Sequence, residues 1–147
     1  MSLWKPRRSA QSKTKNEAVA PHTPLAAGTP VLEVENLQIA YREPDALRNV
    51  VHGVSLSVRA GEVVALVGES GSGKTTTSQA AIGLLPRNGL VTGGRIRVLG
   101  DDMTRARESA WRSLRGRVVS LIPQDPTTSL NPVRTIGAQV GEVLRLH

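Results

Sequence analysis

The chain of 147 residues contains no cysteine, which excludes disulfide bonds and cysteine-rich metal sites. Its three histidines, His22, His52 and His147, do not have the spacing of metal ligands. No apolar run approaches the length of a membrane-crossing helix, and the N-terminus has no secretory apolar segment. Aromatic residues make up only 2% of the chain, so the single tyrosine, Tyr41, stands out. These absences make a cytosolic chain the expectation.

Positive charge is concentrated at the front of the chain. The net charge is +7, and residues 1–30 carry five basic residues against the single acidic residue Glu17. The same segment contains four prolines and no apolar period, which predicts a disordered basic arm. Such an arm could contact anionic lipid or nucleic acid, but a solvated tail or a misplaced start codon is the favoured interpretation. The folded part is predicted to cover residues 31–147.

The strongest functional signal is a segment that matches the phosphate-binding P-loop pattern at every fixed position. The segment consists of Gly68, Glu69, Ser70, Gly71, Ser72, Gly73, Lys74 and Thr75. Its glycines let several backbone N–H groups point at one spot, and the following helix adds unpaired N–H groups and the positive end of its dipole. We expect Lys74 to reach the outer phosphates of a nucleotide and the Thr75 hydroxyl to hold magnesium.

The sequence around this segment supports the same interpretation. In the segment 62–67, Glu62 is followed by an unbroken apolar run typical of a strand buried on both faces. After the loop, apolar residues recur at helical spacing through Leu85, and Pro86 ends the segment. The alternative is a flexible Gly/Ser turn. It is disfavoured, because the P-loop pattern requires this order of strand, loop and helix and a flexible turn does not.

Apolar periodicity predicts the remaining elements. The predicted elements are strands at 32–41, 54–58, 96–98 and 118–122 and helices at 106–114 and 136–144. The alternation changes phase within the first strand, which predicts a bulge or turn near Asn36. The arginines at 105, 107, 112 and 115 are assigned to a solvated helix face. The pattern predicts an α/β core with antiparallel strands at its front edge.

Two motifs carry a resemblance to a known family: the P-loop, and a later run with the sequence PQDPTTSLNP at residues 123–132. Residues 31–147 resemble the N-terminal part of the ATP-binding subunit of ABC transporters. Within that family the chain looks most like the ATPases of oligopeptide, dipeptide and nickel importers. The resemblance implies a P-loop NTPase core with antiparallel β strands at the N-terminal edge, truncated after the Q-loop region.

The resemblance also implies roles for individual residues. Tyr41 stands where the family places an aromatic that stacks on adenine, and Gln124 matches the Q-loop glutamine that contacts magnesium and the attacking water. Lys74 and Gln124 would be catalytic, Thr75 and Gln124 would hold magnesium, and Thr76 would join the P-loop in binding ATP. Without the resemblance, Tyr41 is an ordinary strand aromatic and Gln124 a polar loop residue.

The partners implied by the resemblance are ATP, Mg²⁺, membrane permease subunits and a second ATP-binding subunit, identical or different. The location would be the cytoplasmic face of the inner membrane, with no direct nucleic-acid contact. The family's Ser-Gly-Gly-Gln motif, magnesium Asp, catalytic Glu and switch His are not found in these residues. We therefore expect nucleotide binding without appreciable hydrolysis by the chain alone. The alternatives are a cytosolic ABC-type ATPase that acts on nucleic acid or ribosomes, and a non-catalytic nucleotide-binding fragment.

Overall fold

The computed structural model describes residues 25–125 and 130–146. The elements in chain order are β1 (Pro30–Arg42), β2 (Leu47–Arg59), α1 (Lys74–Ala81), β3 (Gly89–Val98), β4 (Asp101–Asp102), α2 (Glu108–Leu114) and α3 (Ile136–Leu146). The strands form one antiparallel sheet in the order β2-β1-β3-β4, which confirms the predicted antiparallel edge. Most of the predicted basic arm, residues 1–24, and part of the predicted Q-loop run, residues 126–129, lie outside the described residues.

Strand β1 has an irregularity in its middle, where the sequence pattern changes phase. Asn36 has a φ of 46°, and the register against β2 shifts between Val34 and Leu37. The Asn36 N–H leaves the β ladder and donates to the Ser55 hydroxyl at 2.8 Å. This bulge lets Val34, Leu37 and Ile39 all become buried, although their spacing does not fit one uninterrupted strand. The predicted bulge near Asn36 is confirmed.

The hydrophobic core joins the sheet to α1 and α2. It consists of Val34, Leu37, Ile39, Val51, Ala80, Ala81, Ile96, Val98, Met103 and Trp111. Trp111 of α2 is the largest of these side chains and lies against Gly83, just after α1. The apolar area that these residues remove from water fixes α1, and with it the P-loop, on the sheet.

Helix α1 ends at Ala81, before the predicted end at Leu85. Gly83 adopts a left-handed φ of 67° and its N–H donates to the Ala80 carbonyl at 3.1 Å. The Leu84 N–H donates to the Gln79 carbonyl at 2.7 Å. These two bonds form a Schellman motif, which satisfies the last carbonyls of the helix and stops it.

Two predicted strands, at residues 62–67 and 118–122, are not strands in this structure. Val63, Val67 and Ile122 are 95%, 86% and 93% exposed. A strand requires a neighbour that pairs with its backbone N–H and C=O groups. In the described part of the chain, the one strand-type pairing near either segment is the bridge between Arg115 and Val119. The predictions were wrong because an apolar run indicates side chains suited to burial but does not supply a pairing partner.

The two later helices agree with the predicted ones. Helix α2 buries Trp111, whereas α3 has no buried residue and exposes an apolar face that contains Ile136, Val140 and Leu144. No helix in the described ranges is long and apolar enough to cross a membrane.

The hydrogen bonds at the β3–β4 edge give a prediction about pH. Asp102 accepts hydrogen bonds from the Thr104 hydroxyl at 2.6 Å and from the Thr104 N–H at 3.0 Å. These bonds, with help from Arg95 and Arg97, lower the pKa of Asp102 below its ordinary value of 3.8. A carboxyl group whose pKa is lower in the folded state stabilises the fold above its unfolded pKa. That contribution disappears as the pH falls through the folded pKa, here below about 4.

Thr104→Val should therefore raise the pKa of Asp102 toward its ordinary value, because the strongest hydrogen bond to the carboxylate is lost. Carboxyl ¹³C chemical shifts followed from pH 2 to 6 measure this change. Thr104→Ser is the matched control, since it keeps the hydroxyl and should keep the low pKa. An unchanged Asp102 titration in the valine variant would contradict the assignment.

Candidate functional site

The P-loop, residues 68–75, connects the extended segment 62–67 to the start of α1. The Lys74 ammonium donates to the carbonyl oxygens of Gly68 and Glu69 at 2.8 and 2.6 Å. It also donates to the Ser72 hydroxyl at 3.4 Å. The half-buried lysine is thus folded back across its own loop and does not extend into solvent. The charge therefore lies among the residues that the sequence predicts to bind phosphate.

The loop passes directly against β2 at Gly73. This residue is the N-cap of α1 and has a left-handed φ of 88°. A Cβ atom here would lie 3.0 Å from the Val50 carbonyl oxygen and 3.1 Å from the Val51 side chain. Both the backbone conformation and the close approach require glycine, so β2 supports the loop at the point where the helix begins.

The N-terminus of α1 is suited to an anion. The Gly73 carbonyl accepts the first helical hydrogen bond, from the Thr77 N–H at 2.8 Å. The N–H groups of Lys74, Thr75 and Thr76 precede that bond and have no acceptor within the helix. No side chain caps them, and the first turn contains no acidic residue. The positive end of the helix dipole and the Lys74 ammonium therefore act on the same small region.

Tyr41 lies beside this helix. Its hydroxyl oxygen is 3.3 Å from the Thr76 hydroxyl oxygen, and the two groups share a hydrogen bond. In the sheet Tyr41 pairs with Gly89 of β3, and a Cβ atom at Gly89 would lie 3.2 Å from the edge of the tyrosine ring. The structure thus brings Tyr41 to Thr76, the residue directly after the P-loop, although the sequence places the two 35 residues apart.

No hydrogen bond joins Gln124 to the P-loop in the described part of the chain. Its side chain is exposed, and its predicted contact with magnesium stays a prediction. The other predicted magnesium ligand, Thr75, is exposed in the first turn of α1. Across residues 25–125 and 130–146 there is no cluster of His, Cys, Asp or Glu suited to a metal ion. A single hydroxyl fits magnesium carried by a nucleotide, because Mg²⁺ usually takes few protein ligands and several phosphate or water oxygens.

Arg115 supports the site indirectly, and the sequence analysis missed this role. Its guanidinium donates to the Gly83 carbonyl at 3.1 Å and forms an ion pair with Glu108 at 2.7 Å. The hydrogen bond from Arg115 lowers the pKa of Glu108. Only 25% of the arginine side chain is exposed, so its assignment to a solvated face was wrong. The available signal was its position four residues after Trp111 and directly after α2, since side chains four residues apart lie on one side of a helix.

The chain is similar in sequence to a protein family and to several known proteins. Residues 51–142 match the family model described as ABC transporter. The dipeptide transport ATP-binding protein DppD of Bacillus subtilis is 44% identical over 118 residues, which cover 80% of this chain and 35% of DppD. The oligopeptide transport ATP-binding protein OppD of Haemophilus influenzae is 41% identical over 118 residues, which cover 80% of this chain and 36% of OppD. A solved bacterial Atm1-family ABC exporter with ATP bound has a TM-score of 0.48 and 30% identity over 72% of this chain and 17% of its own.

The chain spans little more than a third of the length of these two transport ATP-binding proteins. The family match covers well over half of the chain itself and includes both the P-loop and the segment around Gln124. The chain therefore belongs to the ABC transporter family.

Proposed function

We propose that this chain is the nucleotide-binding part of an ATP-binding subunit that drives solute import. The observation that carries the proposal is the position of the Lys74 ammonium, which is fixed within the P-loop beside the uncapped start of α1. A triphosphate offers oxygen acceptors with full negative charge to both groups at once. A neutral or cationic ligand would not gain from this arrangement.

The residues of the site divide the binding of MgATP between them. Lys74 would neutralise charge on the outer phosphates, and the N–H groups of the first turn of α1 would bind their oxygens. The Thr75 hydroxyl would hold magnesium, which, when bound, spreads the charge of the phosphates. Tyr41 would bind the base, and Gln124 would contact the magnesium and the attacking water. Nucleotide binding is the proposal for the chain itself, and hydrolysis belongs to the complete subunit.

The names of the relatives support a proposal for the wider role. DppD and OppD are named as transport ATP-binding proteins for dipeptides and oligopeptides. We therefore place the complete subunit on the cytoplasmic face of a membrane, where it would act with permease subunits and a second ATP-binding subunit. Peptides or related solutes are the proposed cargo.

A second candidate is a nucleotide-binding chain without a catalytic role. The exposure of Val63, Val67 and Ile122 favours it, because apolar surface left exposed on the chain favours aggregation over independent activity. The two candidates share the nucleotide site and differ in whether the chain joins membrane subunits.

Thr75 variants test the proposed magnesium site. Thr75→Ala should weaken MgATP binding by about 3- to 10-fold, the effect of losing one neutral oxygen ligand. ATP binding measured in EDTA should change little. Titration calorimetry with and without Mg²⁺ measures both constants. Thr75→Ser keeps the oxygen and should behave like the unaltered chain. If Mg²⁺ increased the ATP affinity of Thr75→Ala as much as that of the unaltered chain, the assignment would be contradicted.

A further inference from the structure

We propose that Thr76 is a positioning residue for the nucleotide base, because its hydroxyl holds the Tyr41 ring in the orientation that stacks on adenine. This inference rests on the proposed function, since it requires that the P-loop binds a nucleotide. It assigns Thr76 a role toward the base, whereas the resemblance places Thr76 among the residues that bind ATP through the P-loop.

The first observation is the contact between the two hydroxyl groups. The Tyr41 and Thr76 hydroxyl oxygens lie 3.3 Å apart. Tyr41 belongs to β1, whereas Thr76 belongs to the first turn of α1, directly after Thr75 of the P-loop. The hydrogen bond therefore ties the aromatic ring to the element that binds the phosphates. The distance between base site and phosphate site is then set by the protein before the ligand arrives.

The second observation is that β3 lies against the edge of the tyrosine ring. Tyr41 pairs with Gly89 across the β1–β3 ladder, and the absence of a side chain at Gly89 leaves room for the ring edge. The next residue, Arg42, donates its N–H to the Asn88 carbonyl at 2.7 Å. The ring is thus held at its edge by β3 and at its hydroxyl by α1. It remains half-buried, so part of its surface is accessible to a ligand.

The chemistry of stacking explains why the hydroxyl matters. A base stacks on any flat π-face, so a phenyl ring would provide the same surface as a phenol. The tyrosine hydroxyl therefore contributes something other than stacking area, and its hydrogen-bond partner in the structure is Thr76. A Thr76 hydroxyl bonded to Tyr41 acts on the base, whereas a Thr76 hydroxyl bonded directly to phosphate would act on the phosphate chain. The two roles predict losses of affinity for different parts of the nucleotide.

The experiment compares MgATP with magnesium tripolyphosphate, which has the phosphate chain but no base or ribose. Dissociation constants are measured by titration calorimetry for the unaltered chain, Thr76→Val, Thr76→Ser, Tyr41→Phe and the double variant Tyr41→Phe/Thr76→Val. We expect Thr76→Val and Tyr41→Phe each to weaken MgATP binding by about threefold and to leave tripolyphosphate binding unchanged. Thr76→Ser keeps the hydroxyl and should bind MgATP as tightly as the unaltered chain. The double variant should be no weaker than either single variant, because both changes break the same bond.

Other outcomes overturn the inference. Equal weakening of MgATP and tripolyphosphate in Thr76→Val would show that the hydroxyl contacts phosphate. Additive losses in the double variant, or no loss of MgATP affinity in either single variant, would show that the hydroxyl pair does not position the base. Failure of the unaltered chain to bind either ligand would instead contradict the proposed function, and the inference with it. Tyr41→Phe breaks the same hydrogen bond from β1 and leaves α1 unaltered. The test therefore remains valid if valine at position 76 disturbs the helix.

Discussion

Lys74→Ala should lower the affinity for MgATP by about a hundredfold, because hydrogen bonds to charged groups are the strongest single contacts that such a site makes. The change has two effects. It removes the ammonium that would neutralise the outer phosphates, and it removes the hydrogen bonds that hold the carbonyls of Gly68 and Glu69. Titration calorimetry with MgATP and with magnesium tripolyphosphate should show losses of similar size, since the lysine acts on the phosphate chain common to both.

Two control variants separate these effects from a change in overall charge. Arg112→Ala removes the same unit of charge from an exposed position on α2 and should leave the affinity nearly unchanged. Lys74→Arg keeps the charge but replaces a compact ammonium by a planar fork, and we expect it to recover only a small part of the affinity. If Arg112→Ala weakened binding as much as Lys74→Ala, the specific role of Lys74 would be refuted.

Gly83→Ala should have the largest effect on stability, with a loss of about 2–5 kcal/mol in the free energy of unfolding. The φ of 67° at this position disfavours any residue with a Cβ atom. A Cβ atom would also overlap the indole of Trp111, which is only 6% exposed and has little room to move. The end of α1 and the packing of α2 would both be disturbed. Chemical denaturation followed by circular dichroism measures the loss.

Gly100→Ala is the matched control, because Gly100 has a φ of 87° but no atom within 4 Å of the added Cβ. It should show only the cost of the backbone conformation, roughly 1–2 kcal/mol. The difference between the two variants isolates the overlap with Trp111. A second change, Trp111→Leu in the Gly83→Ala background, should recover part of the stability, since the smaller side chain relieves the overlap. Equal losses of unfolding free energy in Gly83→Ala and Gly100→Ala would show that the Trp111 indole moves aside without an energetic cost.

The sequence predicted best what depends on neighbouring residues. The P-loop pattern located the start of α1 because glycine at position 73 allows the left-handed backbone from which the helix begins. The phase change around Asn36 located the bulge because alternation along a strand reports which face each side chain occupies. Both features arise within a few residues, so a sequence pattern contains the information for them.

Features that depend on distant parts of the chain were not predictable in the same way. Residues 62–67 have the composition of a buried strand, but only the fold shows whether another strand lies beside them. The hydrogen bond between Arg115 and the Gly83 carbonyl joins the segments that follow α1 and α2, which lie 32 residues apart, and no periodicity encodes that distance. The role of Gln124 likewise depends on an arrangement that its own segment does not determine.

The hydrogen bonds of Lys74 have a consequence for how the loop selects a ligand. An ammonium group has three N–H donors, and here they are directed at two carbonyl oxygens and one hydroxyl of the loop. A ligand therefore does not simply add to the site, because it must displace at least one of these internal acceptors. The exchange is favourable only for an oxygen with more negative charge than the group it replaces. The internal hydrogen bonds of Lys74 would thus favour phosphate over neutral carbonyl and hydroxyl compounds as a ligand of the P-loop.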